Sequence, residues 1–136
     1  SAVGEESGIR VEIAGDTRHV IRGDEQLVRL ALYNLIKNGI EHAFPETALT
    51  IRCHSTETSV RVDIANIGEP IPVSEQARIF DRFYRIHHTG QDNNRRGLGL
   101  GLNIAYEIAR AHNGTIKLNH SDAQATSFRL TLPKPG

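Results

Sequence analysis

The stretch that decides the fold is Gly97-Leu98-Gly99-Leu100-Gly101-Leu102, which leads directly into Asn103-Ile104-Ala105-Tyr106. Glycines at alternate positions let the backbone adopt positive φ and approach a ligand closely. Apolar residues then recur at helical spacing, which predicts a helix. Because the first N–H groups of a helix lack internal partners and carry the positive end of its dipole, this junction suits a phosphate. A flexible turn before an ordinary helix is the alternative interpretation.

Size, charge and cysteine content exclude several classes of protein. The chain has 136 residues, which fits one domain, and its formal net charge of zero argues against a surface built for nucleic acid or anionic lipid. No apolar run reaches the length of a membrane span, and the first residues lack a signal-peptide pattern. We therefore expect a cytoplasmic domain without membrane contact. The one cysteine, Cys53, lies in a predicted strand and is interpreted as a buried structural thiol.

Hydrophobic periodicity predicts an α/β fold, a two-layer sandwich with a mixed, mostly antiparallel five-stranded sheet and three helices on one face. Residues 1–8 are expected to be a flexible start, 9–133 the domain with a basic loop at about 85–97, and 134–136 a tail. The predicted strands are 9–13, 49–53, 60–64, 115–118 and 127–132, and the predicted helices are 24–43, 72–80 and the segment from 102 to a stop at Asn113 and Gly114.

The long helix carries a polar column beside its apolar face. Asn34, Asn38 and His42 recur at every fourth residue and so share one side of the helix. An amide oxygen is a hard ligand that suits Mg²⁺, which takes much of its remaining coordination from water and substrate phosphates. A pair of asparagines hydrogen-bonded to a neighbouring loop is the alternative. The core-facing residues are predicted to be Val28, Leu32, Leu35, Ile36, Gly39 and Ala43.

A second polar position follows a predicted strand. Asn66 ends that strand, and Gly68 is expected to let the chain turn sharply and leave Asn66 at the mouth of a pocket. An asparagine in a plain turn is the alternative. Farther along, Phe80 and Phe83 are expected to anchor the basic loop in the core. The loop and its flank carry Arg82, Arg85, Arg95 and Arg96, which predicts closure over a polyphosphate, with a solvated surface loop as the alternative.

In their order along the chain, these motifs resemble the catalytic ATP-binding domain of sensor histidine kinases, in the superfamily that includes gyrase, Hsp90 and MutL. Residues 30–42 resemble the asparagine box of that family, 66–71 its first glycine box, 80–85 its phenylalanine box and 97–102 its second glycine box. The resemblance extends over about residues 9–132. It implies a Bergerat-type ATP-binding fold with ATP and Mg²⁺ as ligands.

The resemblance also implies a role for each matching residue. Asn38 would bind Mg²⁺, Asn34 would lie near the phosphates or support the metal, and Asn66 would meet the exocyclic amine of adenine. Tyr84 and Arg85 would lie along the ribose and phosphates, and the glycine-box amides would bind the phosphate tail. The residues implied to bind the nucleotide are Asn34, Asn38, His42, Asn66, Gly68, Tyr84, Arg85, Gly97, Leu98, Gly99, Leu100, Gly101 and Leu102.

Three positions depart from the family pattern. The family usually has Asp at Asn66, Gly at Pro70, and Thr or Ser at Leu98. An amide lacks the charge that strengthens a hydrogen bond by roughly a factor of two. We therefore predict that the Asn66→Asp variant binds ATP more tightly than the unaltered domain. A nucleotide-binding or protein-docking module with weakened catalysis remains the alternative to a kinase domain.

One substitution separates transfer from hydrolysis. Gyrase-like relatives have a glutamate as general base where this chain has Asn34, and an amide cannot take a proton. None of the seven histidines precedes Asp or Glu, so the resemblance implies that the phospho-accepting histidine belongs to a separate dimerisation domain. It further implies a downstream response regulator and allows a parent protein anchored in the inner membrane. No nucleic-acid partner is expected.

Overall fold

The computed structural model describes residues 8–16, 18–84 and 101–136. None of the helices in these ranges combines the length and the apolar character needed to cross a bilayer. The strands are β1 (Arg10–Gly15), β2 (Ala48–Ser55), β3 (Ser59–Asn66), β4 (Thr115–Ser121) and β5 (Thr126–Pro133), and the helices are α1 (Glu25–His42), α2 (Val73–Gln76) and α3 (Gly101–Ala111).

The five strands form one mixed sheet in the order β1-β2-β3-β5-β4. β1 and β2 are parallel because the chain crosses back through α1 between them, whereas the other three pairs are antiparallel. Short turns join β2 to β3 and β4 to β5. The predicted fold class, with its mostly antiparallel sheet and three helices, is confirmed.

The core lies between the sheet and the helices. Leu49, Ile64 and Leu130 of the sheet meet Leu35 of α1 and Ile79, and all five side chains are almost completely buried. Burying a side chain of this size contributes roughly 1.5–3 kcal/mol relative to leaving it exposed. Apolar side chains on one face of the strands therefore fix which side of the sheet the helices cover.

The buried face of α1 is rotated from the predicted one. α1 packs against α3 as well as against β3, so its apolar contacts extend beyond a single stripe. Leu35 and Gly39 are buried as predicted, but Ala31 and Ile40 are buried as well, and Val28, Leu32, Ile36 and Ala43 are only partly buried.

Contacts at the ends of α1 and α3 join the two helices. Asn113 has φ 60°, and the Gly114 N–H donates to the Ala109 carbonyl at 2.8 Å, which confirms the predicted helix stop. Nε2 of His112 accepts from the Asp24 N–H at 3.0 Å, and its Nδ1 lies 2.8 Å from the Ile108 carbonyl oxygen. The side chain of His112 therefore ties the end of α3 to the start of α1.

The helix predicted over 72–80 is shorter than expected. α2 ends at Gln76, and the chain continues in turns in which the Arg78 N–H bonds to the Glu75 carbonyl and the Asp81 N–H bonds to the Arg78 carbonyl. This three-residue spacing replaces the helical one, and Ile79 in these turns is buried in the core.

Two single-residue predictions also need correction. Phe83 is 58% exposed and has φ 66°, so the left-handed turn directs it away from the core it was expected to anchor, whereas Phe80 packs against the core as predicted. Cys53 is half-buried rather than buried. Desolvation, followed by the charges of Asp16 and Asp63, raises the pKa of its thiol and keeps it protonated.

Candidate functional site

The polar column of α1 lies beside the first turn of α3. The Asp24 side chain caps α1 by accepting from the Leu27 N–H at 3.0 Å, and the helix runs unbroken through His42. Asn34, Asn38 and His42 are partly exposed. A Cβ placed on Gly101 would lie 3.9 Å from the Cβ of Asn34, so the N-terminus of α3 lies beside Asn34, the first residue of the column.

Asn66 lies at the buried end of β3, opposite Thr126 of β5. The residue is 4% exposed, and it is one of those that line a pocket at this end of the strand. Gly68 allows this placement by close approach: a Cβ there would lie 2.1 Å from the carbonyl oxygen of His42, and the glycine pairs with Ala43 in an isolated bridge. Contact with the end of α1, rather than a sharp turn alone, is what requires glycine here.

These elements line a narrow cleft that is open to solvent. Amide groups from two elements, Asn38 of α1 and Asn66 of β3, reach it together. Sequence reasoning missed several of its lining residues, because Glu69 lies in a loop and the others have the apolar or small polar character of ordinary core positions. The full lining is Asn38, His42, Asn66, Glu69, Ile71, Thr126 and Phe128.

A hydroxyl pair holds the inner wall of the cleft. Oγ of Ser121 accepts from the Ile71 N–H at 2.8 Å and lies 2.7 Å from Oγ1 of Thr126. The side chain of Gln76 donates to the Ile71 carbonyl at 3.0 Å. Both polar groups of the Ile71 backbone are therefore fixed, and the segment between β3 and α2 is held against the sheet.

An aromatic cluster joins the cleft to α3. The ring of Phe80 stacks on Tyr106 at 5.4 Å and meets the edge of Phe128, a lining residue, at 5.9 Å. Nδ2 of Asn103, in the first turn of α3, donates to the Phe80 carbonyl at 3.0 Å. Phe80 therefore connects α3 to the wall of the cleft.

Tyr84 lies outside the lining of the cleft. Its hydroxyl donates to the carboxylate of Glu75, and the guanidinium of Arg78 lies 4.8 Å from the centre of its ring. Desolvation and the hydrogen bond to Glu75 raise the pKa of the Tyr84 phenol above its usual value of 10.0. In this structure Tyr84 therefore braces the chain against α2.

The glycine box is described only at its end. Arg85, Gly97, Leu98, Gly99 and Leu100 lie outside the described residues. Gly101 and Leu102 are the first two residues of α3, and Leu102 packs against the core. Over residues 8–16, 18–84 and 101–136, no group of three His, Cys, Asp or Glu side chains could hold a metal ion.

Comparison with known proteins identifies relatives of this chain. The chain is 36% identical over 135 residues to the sensor histidine kinase CusS of Escherichia coli O157:H7, a match that covers 99% of this chain but 27% of that protein. It is 35% identical to the heme sensor protein HssS of Staphylococcus haemolyticus, over 88% of this chain and 25% of the relative. The chain thus spans about a quarter of the length of these curated relatives.

Solved structures show the same fold. The mycobacterial sensor histidine kinase MprB aligns with a TM-score of 0.86 at 23% identity, over 99% of this chain and 91% of the other. The catalytic domain of histidine kinase ThkA, in a nucleotide-free form, aligns with a TM-score of 0.79 at 27% identity, over 96% and 84%. Residues 23–136 match the family described as histidine kinase-, DNA gyrase B- and HSP90-like ATPase, and the chain belongs to that family.

Proposed function

We propose that this chain is the catalytic domain of a two-component sensor kinase, which binds ATP and Mg²⁺ and presents the γ-phosphoryl group to a histidine on a separate dimerisation domain. One observation carries the proposal: amides from α1 and β3 line a single cleft, and the start of α3 lies beside Asn34, one helical turn before the cleft residue Asn38. The family match and the sensor-kinase relatives support it. They also favour it over a docking module with weakened catalysis.

Charge sets the direction in which the nucleotide lies. The N-terminus of α3 faces Asn34 and favours the triphosphate at that end. Asn66 lies at the buried end, among Ile71 and Phe128, and this polar and apolar mixture suits a purine base. Asn38, one helical turn or about 6 Å beyond Asn34, would lie between base and phosphates. The predicted contacts of Arg85 and of residues 97–100 with the phosphates belong to the same proposal.

Asn38 fits a magnesium ion. It is partly exposed on the cleft, and its amide oxygen is a hard donor of the kind that Mg²⁺ accepts alongside water and phosphate oxygens. When bound there, Mg²⁺ would neutralise charge that develops on the phosphate oxygens. Asn34 would contact the phosphates or support the metal, and His42 would line the site between Asn38 and the base.

In the proposed reaction, a nitrogen lone pair of the acceptor histidine attacks the γ-phosphorus in line. A nitrogen–phosphorus bond forms, the bond to the bridging oxygen breaks, and ADP leaves with that electron pair. The N–H proton of the histidine passes to a base on the other domain, because the amide of Asn34 cannot accept it. Phosphoryl transfer is therefore favoured over hydrolysis, and the phosphohistidine would supply a response regulator. Because this proposed reaction consumes ATP, the proposal includes a cytoplasmic location for the domain.

Calorimetric titration with adenylyl imidodiphosphate, with and without Mg²⁺, tests the binding step. We expect Mg²⁺-dependent binding that Asn38→Ala weakens at least about tenfold, which is about 1.4 kcal/mol. Asn119→Ala, which alters an exposed asparagine on β4, is the matched control and should bind like the unaltered chain. Binding that is absent, or equal in the Asn38→Ala variant, would contradict the proposal.

Labelling with γ-phosphate-labelled ATP tests the transfer step. The chain alone should remain unlabelled, because the acceptor histidine is proposed to lie on another domain. Added dimerisation domain of the same protein should become labelled at its histidine. Appreciable labelling of the chain by itself would contradict the proposal that the acceptor histidine lies on a separate domain.

A further inference from the structure

Asn66 is a buried polar side chain that the fold leaves open toward the cleft. It is 4% exposed, and within the described part of the chain no group hydrogen-bonds to its amide. Its amide lines the cleft, where a ligand can form hydrogen bonds to it.

The amide of Asn66 can act in either direction. Its oxygen accepts and its nitrogen donates, and rotation of the terminal group exchanges the two. Since no neighbour in the described residues holds one orientation, the side chain is free to present whichever atom a ligand requires. A carboxylate at this position would offer acceptors only.

The neighbouring hydroxyl on the wall is equally adaptable. Thr126 is 4% exposed, and its Oγ1 contacts Oγ of Ser121, where either atom can be the donor. Because Ser121 already accepts from the Ile71 N–H, it can donate to Thr126 and leave the Thr126 proton for the cleft. If Thr126 instead donates to Ser121, its lone pairs face the cleft.

We propose that this wall makes the site tolerant of the group at position six of the purine, so that 6-keto purine nucleotides bind as well as adenine nucleotides. The inference rests on the proposed function, which places the base at Asn66. Adenine presents an amino donor at position six, and guanine and hypoxanthine present a keto acceptor. Asn66 and Thr126 meet either edge by reversing their hydrogen bonds, whereas the carboxylate of an Asn66→Asp variant would place acceptor against acceptor.

Inosine triphosphate is the sharpest probe, because it carries the keto group without the 2-amino group of guanine. Titrations compare Mg²⁺-ATP with Mg²⁺-inosine triphosphate on the unaltered chain and on Asn66→Asp. We expect the two affinities of the unaltered chain to agree within about fivefold. In Asn66→Asp the preference for ATP should rise at least about tenfold, because one hydrogen bond strengthens and the other becomes a repulsion.

A control variant and two contrary outcomes distinguish failure of this inference from failure of the proposed function. Asn119→Asp adds the same charge on exposed β4 and should leave the ratio of affinities unchanged. Binding of ATP with rejection of inosine triphosphate by more than about tenfold in the unaltered chain overturns this inference alone, even if Asn66→Asp fails to fold. Binding of neither nucleotide overturns the proposed function as well.

Discussion

Two cross-strand pairs on the same β3–β5 ladder have opposite fates. Asp63 faces Arg129, and Asn66 faces Thr126 three residues farther along. The first pair closes on itself, with Nε and Nη2 of Arg129 donating to the two carboxylate oxygens at 2.8 and 3.0 Å. The second pair lies on the other face and leaves its amide open to the cleft. Two cross-strand pairs of polar residues in one ladder can therefore serve different ends. A pair whose side chains hydrogen-bond to each other contributes to stability, whereas a pair with an open amide is available for binding.

The open pair should carry binding and little stability. Asn66→Ala removes the hydrogen bonds to the base, and we expect nucleotide affinity to fall about 30-fold, or about 2 kcal/mol. The free energy of unfolding should change by less than about 1 kcal/mol, because the amide leaves no internal partner unsatisfied. Calorimetric titration and urea unfolding measure the two effects. A large loss of stability with unchanged affinity would reverse the assignment.

The closed pair should show the opposite pattern. Asp63→Ala leaves the Arg129 guanidinium unpaired on a partly buried strand, and we expect a loss of about 1–2 kcal/mol in the free energy of unfolding. Because solvent still reaches both side chains, the loss of unfolding free energy should be closer to the lower value of this range. Nucleotide affinity should stay within about twofold of the unaltered chain, because the pair lies on the face of the sheet away from the cleft.

A second variant tests whether the loss comes from the orphaned charge. Adding Arg129→Met to Asp63→Ala should restore part of the stability, because the unpaired guanidinium is then gone. Urea unfolding of the two single variants and of the double variant gives the interaction free energy between the two side chains. Additive losses in the double variant would mean that the two side chains do not act as a pair.

Local sequence signals were sufficient for much of the fold. Alternation in residues 49–53 and 60–64, and the helix stop at Asn113, depend on neighbours a few residues away, so they could be predicted without tertiary information. The exposure of Phe83 could not be predicted in this way. Its positive φ, in a run of turns, directs the aromatic side chain outward. Apolar character alone does not specify direction in a segment without regular periodicity.

The site was harder to predict than the fold. The column at Asn34, Asn38 and His42 follows from helical spacing, but the depth of Asn66 depends on contacts that are distant in sequence. Gly68 meets the carbonyl of His42, and Thr126 lies opposite Asn66 only because β5 is inserted between β3 and β4. Local periodicity carries no signal for a partner that far along the chain.

The smallest expected effect concerns the turn that holds Thr126 opposite Asn66. Hydrogen bonds from the N–H groups of Ala125 and then Gln124 lower the pKa of Asp122 below its usual 3.8. A lowered pKa in the folded state means that this stability is fully present above the unfolded value and is lost as pH falls through the folded value.

Urea unfolding measures the free energy of unfolding of the unaltered chain and of Asp122→Asn. The measurements extend from about pH 6 down to about pH 2, a range that spans this loss. The asparagine oxygen can accept the same two bonds but does not titrate. The stability advantage of Asp122 should therefore shrink below pH 3.8 and be constant above it. Nucleotide affinity at neutral pH should be equal in both proteins, because the turn closes on its own backbone and offers no group to the cleft. An advantage that is independent of pH would show that the carboxylate charge contributes nothing to the turn.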